Sequence, residues 1–186
     1  MSLYLITGSA GAGKSTIQQE LARRGYSAYD TDDPEKTGLS ALHEKATGKE
    51  VARYNEFNWG HENIDFETHV WGLTNLGFAR VVDESSARDV FLVGRLREPM
   101  KELQDALNKT FFLELSNAIV AERLRTRAEQ ARNNSEIVLW GMEQSQIDFT
   151  VAQNQTLTDH YRSLGAVMID ATPAPAAIAD AIERHL

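Results

Sequence analysis

The sequence predicts an α/β domain: a parallel β-sheet covered by helices on both faces. Two observations carry this. Short apolar runs recur along the chain at Leu3 to Thr7, Tyr26 to Tyr29, Val90 to Gly94, Thr110 to Leu115 and Ala166 to Asp170. Helix-like stretches separate them, and strands that alternate with helices pair in parallel. The chain has 186 residues, 42% of them hydrophobic, which suits one domain, 1–186, with a proper core.

Taken in order, residues 2–7 read as a buried strand, and 14–24 as a helix that Gly25 closes. Tyr26 to Tyr29 forms a second strand running into Asp30-Thr31-Asp32-Asp33-Pro34, where Pro34 stops it. Residues 35–65 are polar, aromatic-rich and weakly periodic, whereas 66–85 read as mostly helical. Val90 to Gly94 is an apolar strand, Lys101 to Asn108 a short helix and Thr110 to Leu115 another strand. A charged helix follows over Asn117 to Arg132, ending near Asn133-Asn134. Ser135 then caps a long helix that reaches about Leu164 and stops at Gly165. Ala166 to Asp170 is the last strand, and Pro173 and Pro175 lead into a C-terminal helix. There is no internal repeat and no low-complexity stretch.

Charge and composition exclude several classes. Lys and Arg number 19 against 27 Asp and Glu, for a net charge of -8. Binding to nucleic acid or to an anionic membrane needs a basic surface, so neither is expected. With no cysteine, disulfides, thiolate catalysis and Cys-ligated metals are out. No basic leader with a cleavage site precedes the first strand, and no apolar run approaches the ~18 residues of a membrane span. A cytoplasmic protein, monomeric or homodimeric, is the expectation.

The stretch "LITGSAGAGKSTIQ", residues 5–18, contains Gly8-Ser9-Ala10-Gly11-Ala12-Gly13-Lys14-Ser15. It fits G-x-x-x-x-G-K-[ST]. Glycines let the backbone turn tightly, so that successive N–H groups point at phosphate oxygens, and the following helix adds its positive dipole end. Gly8, Gly11, Ala12, Gly13, Lys14, Ser15 and Thr16 are therefore the expected nucleotide-binding residues. Lys14 would bridge the β- and γ-phosphates, and Ser15 would ligate Mg²⁺. The competing reading is a Gly/Ala-rich turn that happens to match. An apolar strand directly before the loop and a helix directly after it favour the phosphate loop. A G-x-G-x-x-G dinucleotide reading fails, because no third glycine follows Gly11 and Gly13.

"AYDTDD" sets Asp30, Asp32 and Asp33 at a strand end beside that loop. Ligands of parallel sheets bind at the carboxyl ends of strands. A carboxylate here can hold Mg²⁺ or take a proton from an attacking hydroxyl. Asp32 is the first choice as metal ligand, and either Asp30 or Asp32 can serve as base. The competing reading is an ordinary acidic turn before Pro34.

These features together resemble the nucleoside-monophosphate-kinase-like P-loop kinases, which include shikimate kinase, gluconate kinase and adenylate kinase. The shared features are an early phosphate loop, D-x-D after strand two, an apolar-apolar-apolar-Gly third strand and a later R-x-x-x-R. The overall likeness is to bacterial kinase-like ATPases with an aromatic insert. The resemblance implies a P-loop NTPase three-layer sandwich on a five-stranded parallel sheet. It also implies a helical acceptor-binding insert (33–80) and a short closing lid (123–136). It implies that Arg123 stacks on adenine and that Arg127 is the lid arginine, with Arg132 a weaker lid candidate. It implies further that Ile169 to Thr172, with Ala171 and Thr172 foremost, holds the adenine edge. Glu122 and Glu129 offer the competing reading of these arginines, a solvated ion-paired helix face. The chain departs from shikimate kinase in having Gly94-Arg95-Leu96-Arg97 and no F-R-x-x-E, so shikimate is not the expected acceptor.

"RYNEFNWGHENIDFETHVW", from Arg53 to Trp71, packs Tyr54, Phe57, Trp59, Phe66 and Trp71 among polar residues. Most of these read as a small satellite core, with Trp59 and Trp71 as the candidates to cover an acceptor. His61, Asp65 and His69 are four apart, but they match no zinc signature, and acceptor recognition or a His–Asp hydrogen bond is preferred. Arg53, Arg95 and Arg97, with Gly94 and Asp32, are candidates to bind the acceptor, the arginines if it is anionic.

The expected function is transfer of the γ-phosphoryl group of Mg·ATP to a small-molecule acceptor. Lys14, Asp30, Asp32 and Arg127 would be catalytic, with Ser15 and Asp32 on the metal. ATP is preferred to GTP because no N-K-x-D motif is present; Asn108-Lys109-Thr110-Phe111 lacks the aspartate. Rival readings are a nucleoside or nucleoside-monophosphate kinase and a nucleotide-binding regulatory protein or slow ATPase. A polynucleotide 5′-end kinase is disfavoured by the acidic charge.

Overall fold

The computed structural model describes residues 1–32, 37–52, 68–96, 101–134 and 141–186. Its centre is a five-stranded, all-parallel sheet. The strands are β1 (Leu3–Gly8), β2 (Ser27–Asp30), β6 (Val90–Val93), β7 (Lys109–Glu114) and β8 (Val167–Asp170), in the order β2-β6-β1-β7-β8. Helices α1 (Lys14–Arg23), α2 (Asn75–Ser85), α3 (Lys101–Ala106), α4 (Asn117–Asn134), α5 (Gln144–Ser163) and α6 (Pro175–Glu183) complete the α/β architecture. Central β1 and β6 are buried at every position, as expected for strands covered on both faces. One core cluster holds Ile6, Phe91, Phe111, Leu113, Leu124 and Ile178; the other holds Leu3, Leu5, Val81, Val90 and Leu92. Tyr4 stacks on Phe91 with ring centroids 5.0 Å apart. Each large side chain buried this way stabilises the fold by about 1.5–3 kcal/mol. Among the described residues no helix is long and apolar enough to cross a membrane.

Two expectations need correction. The insert after β2 is not simply helical: β3 (Ser40–Glu44), β4 (Glu50–Ala52) and β5 (His69–Leu73) form a separate antiparallel sheet in the order β4-β3-β5. The helix expected over 66–85 begins only at Asn75, because Thr74 is its cap: the Thr74 side chain accepts the Gly77 N–H at 2.9 Å. His69 consequently lies on a strand and not on the helical face that its spacing from His61 and Asp65 suggested. The second correction concerns α5. It starts at Gln144, with Glu143 and Gln146 forming a capping box, and residues 141–143 are not helical. Gly141 is left-handed there, with φ of 87°. Ser135, offered as the cap, lies outside the described residues, as do Asp33, Arg53, Tyr54, Phe57, Trp59, His61, Asp65, Phe66 and Arg97.

The insert and the main sheet meet where α2 crosses the segment leading into β3. A Cβ on Gly77 would clash with the Leu39 carbonyl oxygen and lie 2.9 Å from Leu39 Cα, both backbone atoms that cannot move aside. Gly72 differs: a Cβ there would meet only the His43 ring, at 3.6 Å. Gly77→Ala should destabilise the fold by about 1–3 kcal/mol in urea unfolding, as overpacking does, and Gly72→Ala by much less. Equal effects would mean that the α2 contact is soft.

Candidate active site

The site grows from the register of three strands. Ile6, Val93 and Asp30 are adjacent partners across β1, β6 and β2. Beyond them the backbone continues the pairing: Gly94 N–H donates to Ile6 O at 3.0 Å and Thr31 N–H to Val93 O at 2.9 Å. The phosphate loop, the acidic turn and Gly94-Arg95 thus leave the sheet at one edge.

The loop closes on itself through Ala12 N–H, which donates to Ser9 O at 3.1 Å, while the Ala12 side chain is buried in the core. Gly13 caps α1 in a left-handed conformation, φ 89°, which residues with a Cβ rarely adopt. Lys14 folds its amine into the loop, donating to Gly8 O at 3.1 Å and Ser9 O at 3.2 Å. Burial pushes that amine down to about 8, opposed by Asp32 and Asp30 and reinforced by Arg95 and Arg127. Lys14, both aspartates and both arginines are therefore electrostatic neighbours. Ser15 and Thr16 are exposed on the first turn of α1.

Ser15 Oγ donates to Asp30 Oδ2 at 2.8 Å, so the hydroxyl meets Asp30 and not Asp32. Asp30 Oδ1 accepts the Asp32 N–H at 2.9 Å. Burial, aided by the charge of Asp32, raises the Asp30 carboxyl above its ordinary value, while the Ser15 hydrogen bond pulls it back. Asp32 is exposed, and its Oδ1 accepts the Arg95 N–H at 2.8 Å. That approach needs a glycine at 94: a Cβ there would clash with Thr31 Oγ1 and come within 2.9 Å of Asp32 Oδ1. Trp71 is anchored at its ring edge. Its Nε1 donates to Thr31 O at 2.9 Å and ties β5 to the acidic turn.

Across the loop, Arg123 Nη2 donates to Ala171 O at 2.9 Å, and a Cβ on Gly13 would lie 3.8 Å from Arg123 Nη1. The expected adenine-side residues Arg123, Ala171 and Thr172 are thus gathered beside the phosphate loop. Thr172 N–H donates to Asp170 Oδ1 at 2.9 Å. Arg127, one turn on, is half-buried, and burial lowers its guanidinium from the ordinary value. Arg132 is exposed and hydrogen-bonds Met142 O. Sequence reasoning missed two buried polar residues, Thr31 and Asn154. A threonine in an acidic turn and an asparagine in a helix carry no pattern that marks them.

The residues fit a magnesium nucleotide. The donor set is one hydroxyl and two carboxylates beside an enclosed amine. Mg²⁺ typically takes one or two carboxylates and completes its shell with phosphates and water. Among the described residues no group of three or more His, Cys, Asp or Glu could hold a metal alone.

Lys14 predicts a pH signature. Its folded value, about 8, lies below the ordinary 10.5. Between those values the unfolded chain binds more protons, so stability rises with pH across that window. An anion in the loop favours the charged amine. Nucleotide binding at pH 9 should therefore take up close to one proton, and at pH 6.5 almost none. Calorimetry in buffers of different ionisation enthalpy would measure this, and Lys14→Met should abolish the difference. Equal proton uptake at both pH values would mean that Lys14 is not the group titrating.

The sequence matches a family profile described as an AAA domain over residues 5–141. No curated protein matches the chain. Among solved structures it is similar to a gluconokinase from Sinorhizobium meliloti, at 16% identity, covering 96% of this chain and 87% of that one, with a TM-score of 0.46. It is also similar to a shikimate kinase from Aquifex aeolicus, at 17% identity, covering 100% of this chain and 95% of that one, with a TM-score of 0.47. The family match spans the phosphate loop, the acidic turn, Gly94-Arg95 and the arginine-bearing part of α4, which is most of the chain, and on that match this protein belongs to the AAA-domain family.

Proposed function

We propose that the protein is an ATP-dependent phosphotransferase, moving the γ-phosphoryl group of Mg·ATP to a hydroxyl or phosphate oxygen of a small-molecule acceptor. The observation that carries this reading is the Lys14 amine held in the phosphate loop by Gly8 O and Ser9 O, with Ser15 hydrogen-bonded to Asp30 and Asp32 fixed by the Arg95 N–H at the neighbouring strand ends. Phosphoryl transfer asks for positioning and charge neutralisation more than for covalent help.

In this reading the loop N–H groups and Lys14 hold the phosphates. Arg123, anchored on Ala171 O, lies against the adenine, with Thr172 at its edge. Ser15 and Asp30, already hydrogen-bonded to each other, hold the metal, a role the sequence had put first on Asp32. When bound, Mg²⁺ supplies positive charge to the phosphate oxygens. Asp32, exposed and fixed by the Arg95 N–H, receives the acceptor's hydroxyl proton as its oxygen bonds to phosphorus. The bond to the bridging oxygen breaks, and its electron pair leaves with ADP. Arg127 neutralises charge on the moving group. Residues 33–80, together with Gly94 and Arg95 after β6, form the acceptor side; Trp71 is among the described residues of that segment, and Arg53 and Trp59 lie outside them. Residues 123–136 act as the lid that excludes water. The acceptor is a small molecule rather than a nucleic acid or membrane. A cytoplasmic monomer or homodimer fits this role.

A ³¹P NMR time course with Mg·ATP and pooled nucleosides, nucleoside monophosphates, sugar acids and polyols tests the proposal. One pool should yield a new phosphoester, and Lys14→Ala should yield none. Asp32→Asn should slow transfer about a hundredfold or more while nucleotide still binds. Arg127→Ala should cost about a thousandfold. Release of inorganic phosphate alone from every pool would replace this reading with a slow ATPase or nucleotide switch.

A further inference from the structure

One buried polar network joins the phosphate loop to the end of β7 and to α4. Asn154, midway along α5, is 4% exposed, and Ser9, in the loop, is 2% exposed. Ser9 Oγ donates to Asn154 Oδ1. Asn154 Nδ2 donates to Leu115 O at 3.0 Å and to Asn117 Oδ1 at 2.8 Å. One amide therefore touches the phosphate loop, the residue after β7 and the first residue of α4. Each of these contacts leads to the site. The Ser9 carbonyl accepts both the Lys14 amine and the Ala12 N–H. Helix α4 carries Arg123 and Arg127. Packing alone does not require an amide here, because burying one costs free energy unless its hydrogen bonds are made.

We propose that Asn154 is a positioning residue for nucleotide binding: its buried amide locks the phosphate loop to the arginine-bearing helix α4, so that Lys14 and Arg123 meet one nucleotide in a single arrangement. The proposal rests on the nucleotide-binding half of the function above and not on the transfer step. Loop and helix also meet through apolar packing, where a Cβ on Gly11 would lie 3.3 Å from Leu124 Cγ, but such contact is non-directional and a buried hydrogen bond fixes the arrangement. With the amide in place, a shift of α4 relative to the loop breaks a buried hydrogen bond.

The test is a double-mutant cycle read by binding of a fluorescent ATP analogue with magnesium, with unfolding measured alongside. Ser9→Ala and Asn154→Ala should each weaken binding about tenfold, the usual consequence of stranding a buried hydrogen-bonding partner. The double variant should bind no worse than Asn154→Ala alone, since the one side-chain bond that Ser9→Ala removes is already lost in Asn154→Ala. The comparison variant is Arg24→Ala, which breaks the clasp of Arg24 with Glu20, Asp180 and Glu183 between α1 and α6, at the end of α1 opposite the phosphate loop. It should lower stability and leave nucleotide affinity unchanged. Wild-type affinity in both single variants, fully additive losses, or an equal loss in Arg24→Ala would overturn the proposal. If Asn154→Ala does not fold, Ser9→Ala, which removes one oxygen atom, decides alone. Unchanged affinity in that variant overturns the proposal, and a tenfold loss supports it. Wild-type protein that binds nucleotide but phosphorylates no acceptor would sink the transfer reading and leave this result standing. Wild-type protein that binds no nucleotide would sink both.

Discussion

The pairing register of β2, β6 and β1 is the constraint on which the site depends. Parallel hydrogen bonding sets Asp30, Val93 and Ile6 side by side, and the next residues extend the ladder by one bond each, Thr31 to Val93 and Gly94 to Ile6. Slipping one strand by a single residue would exchange its faces and carry its terminal residue away from the others. The phosphate loop and Gly94-Arg95 are thus positioned by two fully buried strands, β1 and β6, and the acids by the partly buried edge strand β2 paired to β6. The buried positions of β1 and β6 therefore do two things: they bury apolar area, and they hold three chemically different loops level.

On that platform the electrostatics run in two directions. Enclosure lowers the Lys14 amine and raises the Asp30 carboxyl. Both shifts reflect charges taken out of water and only partly compensated by neighbours. A ligand carrying polyanionic phosphate with a divalent cation relieves both at once, by offering negative charge to Lys14 and positive charge to Asp30. The short polar links serve the same end. Asp32 is held by a backbone N–H, Asp30 by Ser15, Arg123 by a carbonyl and Trp71 by another. Side chains fixed this way lose less freedom when a ligand arrives.

Legibility followed sequence separation. The phosphate loop could be read because all its parts lie within eight consecutive residues and its mechanism dictates their types. Arg123 and Arg127 stand out by resemblance to P-loop kinases, since by spacing alone they read equally as a solvated helix face. The choice between Asp30 and Asp32 could not be read, since both sit in one short turn and only the fold shows which of them meets Ser15. The strands β3, β4 and β5 escaped notice because three to five residues of mixed polarity carry too little periodicity. The start of α5 was misplaced because the left-handed Gly141 and the Glu143–Gln146 capping box interrupt what reads as one long helical stretch.

By itself the sequence determined the α/β class, the phosphate loop and the chemical types near it, because each rests on interactions between residues close along the chain. Only the tertiary structure decided which groups meet. Trp71 reaches Thr31 across 40 positions, Asp32 reaches Arg95 across 63, and Ser9 reaches Asn154 across 145. Those contacts are set by strand register and helix packing. Both are collective outcomes of burying the whole core, so no short stretch of sequence contains them.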